Sequence, residues 1–347
     1  MRLLIIGGSR FLGRAVADRA LAAGHRVTVF NRGRSAPDVE GAEAVRGDRE
    51  SQADLERLAA HGPWDAIIDT SGYVPRTVGM AARALADSAP AYVFMSTCSV
   101  FTEWPSHAVD DDSPVYECSP DAGPEDGDYG TLKAGCERAV DRDFPGRVLH
   151  LRLGLLLGPH EDVGRLPALL LRIADAGAAR DERVLAPGDP AYRVRPIDVR
   201  DVALFTLSAL EREAQGSYLV AGTQSCATSY GDLLQACIEV TGSPARLEWV
   251  EADFLAASDV AMWSELPLWV PPVEHPWDLG VSRAEAIGLR CRPLPETVAD
   301  TWAWLAADDG KVRRSYRPNR PHGLTPERER QLLAAWDARH DGAAISQ

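Results

Sequence analysis

The sequence predicts an α/β protein built on a doubly wound parallel sheet, with a smaller C-terminal lobe. Three observations carry that prediction. The chain opens on an apolar run, residues 1–6, followed at once by Gly7-Gly8-Ser9-Arg10-Phe11-Leu12-Gly13. A helix-like stretch to Ala23, a stop at Gly24 and a second apolar run at 27–30 complete a strand–turn–helix–strand unit. Beyond it, short apolar runs go on alternating with helix-length segments, the pattern of repeated strand–helix units.

In such a unit the first glycine lets the backbone turn sharply off the strand, and the last lets the helix pack close to the sheet. The amides at the helix start then point at a pyrophosphate, whose charge the helix dipole favours. A glycine pattern alone is weak, but its place between a strand and a helix is the context that gives it meaning. A dinucleotide site is therefore expected on Gly7, Ser9, Arg10, Phe11, Leu12 and Gly13.

The second strand ends in Asn31-Arg32-Gly33-Arg34. An Asp or Glu at that place would bind the 2′-hydroxyl of NAD. The chain offers Asn31 with Arg32 and Arg34 instead, and Arg10 is a third cation. Three guanidiniums suit a 2′-phosphate, because Arg binds phosphate in a fork. NADP is the expected cofactor, with NAD as the alternative. A short third strand at 45–48 ends on Asp48, placed to accept from the adenine amino group. Residues 51–60 read as a helix with Ser51 as N-cap. Strand four, 64–69, leads into Thr70-Ser71-Gly72, a turn of small residues expected under the cofactor.

A helix follows at 77–88, then strand five at 91–95, ending in Ser96-Thr97-Cys98-Ser99. The acidic, Pro-rich stretch 102–128 is a long loop of the kind that is often functional. The helix at 128–142 carries Tyr129 and Lys133, four residues apart and so on one face. Strand six at 148–153, helices at 166–176 and after Pro196-Ile197-Asp198, and a strand at 216–221 complete the α/β part. An amphipathic helix at 295–305 and a helix from 325 follow. The expected organisation is a nucleotide-binding domain at 1–160 with 194–225 returning to it. A substrate lobe of 161–193 and 226–305 and a tail of 306–347 make up the rest.

At 347 residues, core size is not limiting. With 37 Lys and Arg against 51 Asp and Glu the net charge is −14, which opposes binding to a nucleic-acid backbone and favours solubility. Six Cys occur with no Cys-x-x-Cys and no zinc-like spacing, so reduced thiols, no metal and a cytoplasmic setting are expected. A strand at the very start leaves no room for a signal peptide. No apolar run approaches the roughly 20 residues of a membrane span.

The glycine turn, a hydroxyl residue after strand five and Tyr-x-x-x-Lys occur in a fixed order. In this the chain resembles the short-chain dehydrogenase/reductase superfamily, and most of all its extended or atypical branch, the NAD-dependent epimerase/dehydratase family. The resemblance covers residues 1–305 in motif order. It implies a Rossmann sheet of about seven strands and a substrate lobe built largely from C-terminal segments. It also implies that Lys133 binds the nicotinamide ribose. Thr97 aligns with the Ser/Thr that hydrogen-bonds the substrate oxygen, with Ser96 and Ser99 as fallbacks and Ser96 also near the cofactor.

The chemistry asks for these residue types. Interconverting a ketone and an alcohol needs one group to move a proton while the nicotinamide moves a hydride. A phenol of pKa about 10 is a poor base at neutral pH, and a neighbouring ammonium stabilises its phenolate. Tyr129 is therefore the expected acid/base, Lys133 its electrostatic partner and Thr97 the third member of the triad.

Departures from the family pattern narrow the reaction. Arg10 stands where the extended pattern has a middle glycine. Cys98 and Ser99 replace the Asp-Glu that supplies elimination chemistry in dehydratases. Leu155 stands where many members that act on nucleotide sugars have an Asn contacting the diphosphate. These losses favour a smaller or less polar substrate, for which Trp263, Trp269 and Trp277 are candidate pocket walls, against a plain packing role. His160, after Gly158-Pro159, is divided between facing substrate and a solvated loop position, and Cys98 reads as packing. Arg193 and Arg195 precede a segment that closes over substrate in the family, and Arg195 is divided between a substrate contact and an ion pair with Asp198 or Asp201.

The leading function is an NADP-linked oxidoreductase of a small carbonyl or alcohol. An epimerase of a sugar or sugar nucleotide working by transient oxidation is the first alternative. A non-catalytic NADP sensor or RNA-associated module is the second, opposed by the Tyr–Lys pair and the negative charge. The helices at 77–88 and 133–142 are of the kind that pair in homodimers of this fold.

Overall fold

The computed structural model describes residues 1–34, 36–176, 182–270, 273–316, 318 and 322–344. It divides the chain into two units. The first is Met1–Leu156 with Pro196–Thr223 and Glu274–Cys291, and the second is Leu157–Arg195, Gln224–Val273 and Arg292–Gln347. Residues 274–291 thus fall in the first unit, not in the lobe expected from sequence, and 306–347 do not stand apart.

The first unit is built on strands β1 (Arg2–Ile6), β2 (Arg26–Asn31), β3 (Glu43–Arg46), β4 (Ala66–Asp69), β5 (Ala91–Thr97) and β6 (Arg147–Leu153), with a seventh strand at Gly216–Val220. Their spatial order is Gly216–Val220, β6, β5, β4, β1, β2, β3, and the neighbouring pairs are parallel. This is the Rossmann order. The chain starts at the centre, winds out to β3 and crosses to β4, so the sheet changes direction between β1 and β4. In open parallel sheets ligands bind at that switch, outside the carboxyl ends of the strands.

Helices α1 (Phe11–Ala22), α2 (Gln52–Ala59), α3 (Pro75–Ala84), α4 (Tyr129–Asp143), α5 (Arg165–Ala176) and α6 (Val199–Glu211) follow in chain order, α5 in the second unit and the others in the first. In β1, Leu3 and Ile5 meet Val16 and Ala20 of α1 and Val202 and Phe205 of α6 in one core cluster. Leu4 and Ile6 meet Val78 and Ala81 of α3 and Val140 of α4 in the other. Both faces are covered, which is why the strand reads as a continuous apolar run.

Several element ends depart from expectation, three of them beside the candidate site. β3 stops at Arg46, two residues short of Asp48, because the Asp48 backbone N–H turns to the Asp54 carboxylate at 2.7 Å at the head of α2. α3 begins at Pro75, where a fixed φ and a missing N–H suit a first helical residue. β5 runs on through Ser96 and Thr97. Ser51 caps α2 as expected, accepting from the Asp54 N–H at 3.3 Å.

The second unit holds α5, α7 (Tyr230–Thr241), long helices at Leu294–Ser315 and Pro326–Ala344, and a parallel strand pair, Arg183–Pro187 with Arg246–Val250. The last helix is fastened to that pair. Arg183 holds both carboxylate oxygens of Asp337 at 2.9 Å, and Glu329 accepts from the Leu185 N–H at 2.8 Å. Among the described residues no helix is long and apolar enough to cross a membrane.

Candidate functional site

The glycine turn lies at the carboxyl end of β1. Gly7 and Gly8 have φ of 111° and 23°, where side chains are disfavoured. A Cβ on Gly13 would stand 2.8 Å from the Cα and N of Gly8, so α1 can close on the turn only with glycine there. Arg10, at the N-cap, gives the first amides of α1 no side-chain cap. Ser9 and Phe11 are buried and Leu12 half-buried. A cradle that a side chain would fill, opening on an uncapped helix start, fits a dinucleotide pyrophosphate. Thr70 and Ser71 sit beside it, but both hydroxyls donate to the Ile6 carbonyl, at 3.0 and 3.4 Å, and so brace the strand end rather than project into the crevice.

At the expected adenosine end, Asn31 Oδ1 accepts from the Gly33 N–H at 2.7 Å and from Arg46 Nη1 at 2.6 Å. That pattern fixes the amide orientation and leaves Nδ2 as a buried donor with no acceptor among the described residues. Such a donor fits a ribose or phosphate oxygen. Arg32 and Arg34 are exposed here. Arg46 is a further cation that sequence reading missed. It lies opposite Asn31 in the β2–β3 register and is also paired with Asp38 at 2.5 Å. Asp48 bends back, its Oδ1 accepting from the Glu50 N–H at 3.1 Å.

The expected reacting end is organised by α4. Asp128 caps it, accepting from the Thr131 N–H at 2.9 Å, and this places Tyr129 in the first turn with 51 % of its surface exposed. Lys133, one turn on, is only 3 % exposed. Its Nζ donates to the carbonyls of Gly72 at 2.9 Å and Met95 at 2.5 Å, and lies 4.0 Å from the Phe94 ring centroid. Burial lowers its pKa to about 8, although the Cys136, Asp69 and Glu137 charges pull it upward. Lys133 and Lys311 are the only lysines among 37 cationic residues. Nearly all the other cations of the chain are Arg, whereas this place carries a compact titratable ammonium.

Thr97 ends β5 and caps the short turn after it. Its Oγ1 accepts from the Ser99 N–H at 3.2 Å and donates to Ser99 Oγ at 3.3 Å. Gly130 brings this turn and α4 together, because a Cβ there would fall on the Ser99 carbonyl oxygen. Sequence reading passed over Gly130, although a glycine next to the candidate Tyr was its signal. Ser96 is buried at the same strand end, and Cys98 belongs to the hydrophobic core.

The remaining candidates scatter. Leu155 is buried, and its carbonyl accepts from the Ile197 N–H at 2.9 Å. Asp198 caps α6 and pairs with Arg200 at 2.7 Å, while Arg195 is buried in the second unit. His160 is a half-buried loop residue whose ring packs 5.0 Å from that of Trp304. Trp277 is buried in the first unit, and Trp263 and Trp269 belong to the second.

Comparison with known proteins gives a consistent picture. Residues 3–221 match the NAD dependent epimerase/dehydratase family. The chain is 28% identical over 313 residues to the 2′-dehydrokanamycin reductase of Streptomyces kanamyceticus, covering 88% of this chain and 84% of that protein. Its fold is similar to that of the Bordetella bronchiseptica enzyme WbmH in complex with NAD+, at 18% identity and a TM-score of 0.66 over 89% of this chain and 99% of the other. It is also similar to Thermotoga maritima UDP-glucose 4-epimerase with UDP-glucose, at 18% identity and a TM-score of 0.65 over 88% and 98% of the two chains. At these identities the structural likeness concerns the fold.

Proposed function

The chain belongs to the NAD dependent epimerase/dehydratase family, and on that premise we propose that it is an NADPH-linked reductase of a ketone on a small ring substrate that carries no nucleotide. It is an enzyme of the extended short-chain dehydrogenase/reductase type, and a nicotinamide dinucleotide is its cofactor class. The observation that carries the catalytic reading is the position of Lys133. It is a buried ammonium held by the carbonyls of Gly72 and Met95, one helical turn from an exposed Tyr129.

Gly7, Gly8, Gly13 and the start of α1 would hold the pyrophosphate. Asn31, Arg32, Arg34 and Arg46 would hold the 2′-phosphate. When bound, the nicotinamide supplies the hydride. Tyr129 gives its phenolic proton to the substrate oxygen as that oxygen gains the charge of an alkoxide, and takes it back in the reverse direction. Lys133 lowers the cost of the phenolate that remains. The Thr97 hydroxyl can rotate from Ser99 to donate to the same oxygen.

Two features support reduction of a non-nucleotide ketone. Cys98 and Ser99 offer no carboxylate for elimination, and the aliphatic Leu155 offers a diphosphate no hydrogen bond. The relative at 28% identity is a reductase by name. The test is NADPH consumption by the purified chain over a panel of cyclic ketones and keto-sugars, 2′-dehydrokanamycin among them, with Tyr129→Phe as control. Consumption that Tyr129→Phe leaves unchanged sinks the assignment. Tightly retained cofactor with a product that differs only in stereochemistry makes the protein an epimerase.

A further inference from the structure

Two ion pairs with buried carboxylates flank Lys133. On one side is Asp69, the last residue of β4 and fully buried. Arg49 grips it with a nitrogen on each carboxylate oxygen at 2.8 Å. The Tyr92 hydroxyl adds a bond at 2.9 Å and the Ser71 N–H another at 3.1 Å. On the other side is Glu137, one turn beyond Lys133 on α4. Arg152, at the end of β6, holds it in the same forked way at 3.1 and 2.9 Å, and both residues are buried.

Asp69 and Lys133 meet at Gly72. The Gly72 carbonyl accepts from Nζ, and a Cβ on that glycine would lie 3.3 Å from Asp69 Oδ2. Charges therefore alternate beneath the carboxyl edge of the sheet in the order Arg49, Asp69, Lys133, Glu137, Arg152. The other groups facing Lys133 are the Cys136 thiol on its own helix and the rings of Phe94 and Tyr73, with His150 edge-on to Phe94.

We propose that Asp69 and Glu137 are positioning residues that keep Lys133 protonated inside the protein, and so set the pH range over which Tyr129 can exchange its proton. A lone buried carboxylate would take up a proton or close on Lys133 directly. Burial pushes both carboxyls up, but Arg49 on Asp69, and His150 with Arg152 on Glu137, outweigh it and hold both below the usual carboxylate range. Each carboxylate is satisfied by its arginine, so it acts on Lys133 through its charge. Two of the three hydrogens on Nζ are thereby left for the Gly72 and Met95 carbonyls.

The link to Tyr129 rests on the proposed function, whereas the charge of Lys133 does not. The test uses the full chain labelled in its lysine side chains, where Lys133 and Lys311 are the two signals and Lys133→Met assigns them. The wild-type Lys133 signal should titrate near 8. Asp69→Asn and Glu137→Gln should each lower that midpoint by roughly one unit, a tenfold loss of proton affinity. Asp69→Asn leaves the partly buried Arg49 without its ion-pair partner, so the double variant Arg49→Met/Asp69→Asn covers a failure to fold, and its midpoint should fall by less because Arg49 opposes Asp69. Midpoints that do not move in these variants overturn the proposal. A midpoint that moves while the alkaline limb of turnover stays in place overturns the link to Tyr129, and the reading of the site with it.

Discussion

Lys133 donates to the Gly72 carbonyl at 2.9 Å and so ties the helix that carries Tyr129 to the turn after β4. The same turn supplies Thr70 and Ser71, which brace Ile6 just ahead of the glycine cradle. One side chain thus connects the helix that carries the proposed acid/base with the turn beside the proposed phosphate cradle.

That charge state separates activity from stability. The Lys133 pKa falls from 10.5 in the unfolded chain to about 8 in the folded one. Below the folded value the side chain is charged in both states, and folding bears the full burial cost. Between about pH 8 and 10.5 the unfolded chain binds the extra proton, so this group adds stability as pH rises, up to ~3 kcal/mol. Turnover should move the other way, falling above pH 8 as Tyr129 loses its charged neighbour. Melting temperature and turnover measured across this range should diverge, and Lys133→Met should remove the stability slope. Parallel decline of both would point to simple alkaline unfolding.

Gly130 is a second requirement of the same helix. Its α-carbon lies so close to the Ser99 carbonyl that any side chain must push α4 away from the turn holding Thr97. Gly130→Ala should cost about 1–3 kcal/mol, as overpacking against backbone does. Turnover should drop more than NADPH binding, since the glycine cradle is on another element. Thermal melts and fluorescence titration with NADPH measure the two effects. Wild-type turnover in this variant would show that the approach of α4 to Ser99 does not position Tyr129.

Asn31 offers a test at the other end. In Asn31→Asp one oxygen keeps the contacts to Gly33 and Arg46, while the second replaces a buried donor with an acceptor. That acceptor suits a ribose 2′-hydroxyl and repels a 2′-phosphate. The ratio of NADPH to NADH affinity should fall roughly tenfold or more, about 1.4 kcal/mol. An unchanged ratio would remove Asn31 from cofactor selection.

These cases also mark what could be read without coordinates. The central strands were legible because burial on both faces makes them continuous apolar runs, and Tyr129 and Lys133 because helical spacing puts them on one face. Arg46 was not, since its nearness to Asn31 depends on the register of β2 with β3. Nor was the Arg49–Asp69 pair, formed by residues 20 apart on different elements. The strand Arg183–Pro187 was missed for a related reason: its partner is Arg246–Val250, and nothing local announces so distant a pairing. Spacing reveals neighbours along an element, whereas these contacts run across elements.

The second unit carries a titration of opposite sign. Glu161 is fully buried, and its two oxygens accept from the N–H groups of Arg165 and Leu166, at 2.8 and 3.2 Å, at the head of α5. Burial raises its pKa from 4.5 to about 7, against the pull of Arg165 and the two amides. Below about pH 4.5 the carboxyl is protonated in both states and its burial carries no charge penalty. As pH rises to 7 the unfolded chain releases its proton first, so stability falls, by up to ~3 kcal/mol above pH 7. Glu161→Gln keeps one acceptor for the helix and cannot ionise. It should flatten this slope and melt higher than wild type at pH 8, with little difference at pH 5. The window lies below that of Lys133, so the two titrations can be followed in one series of melts. A Glu161→Gln protein that is less stable than wild type at both pH values would mean that the second carboxylate oxygen is worth more to α5 as a cap than its charge costs in burial.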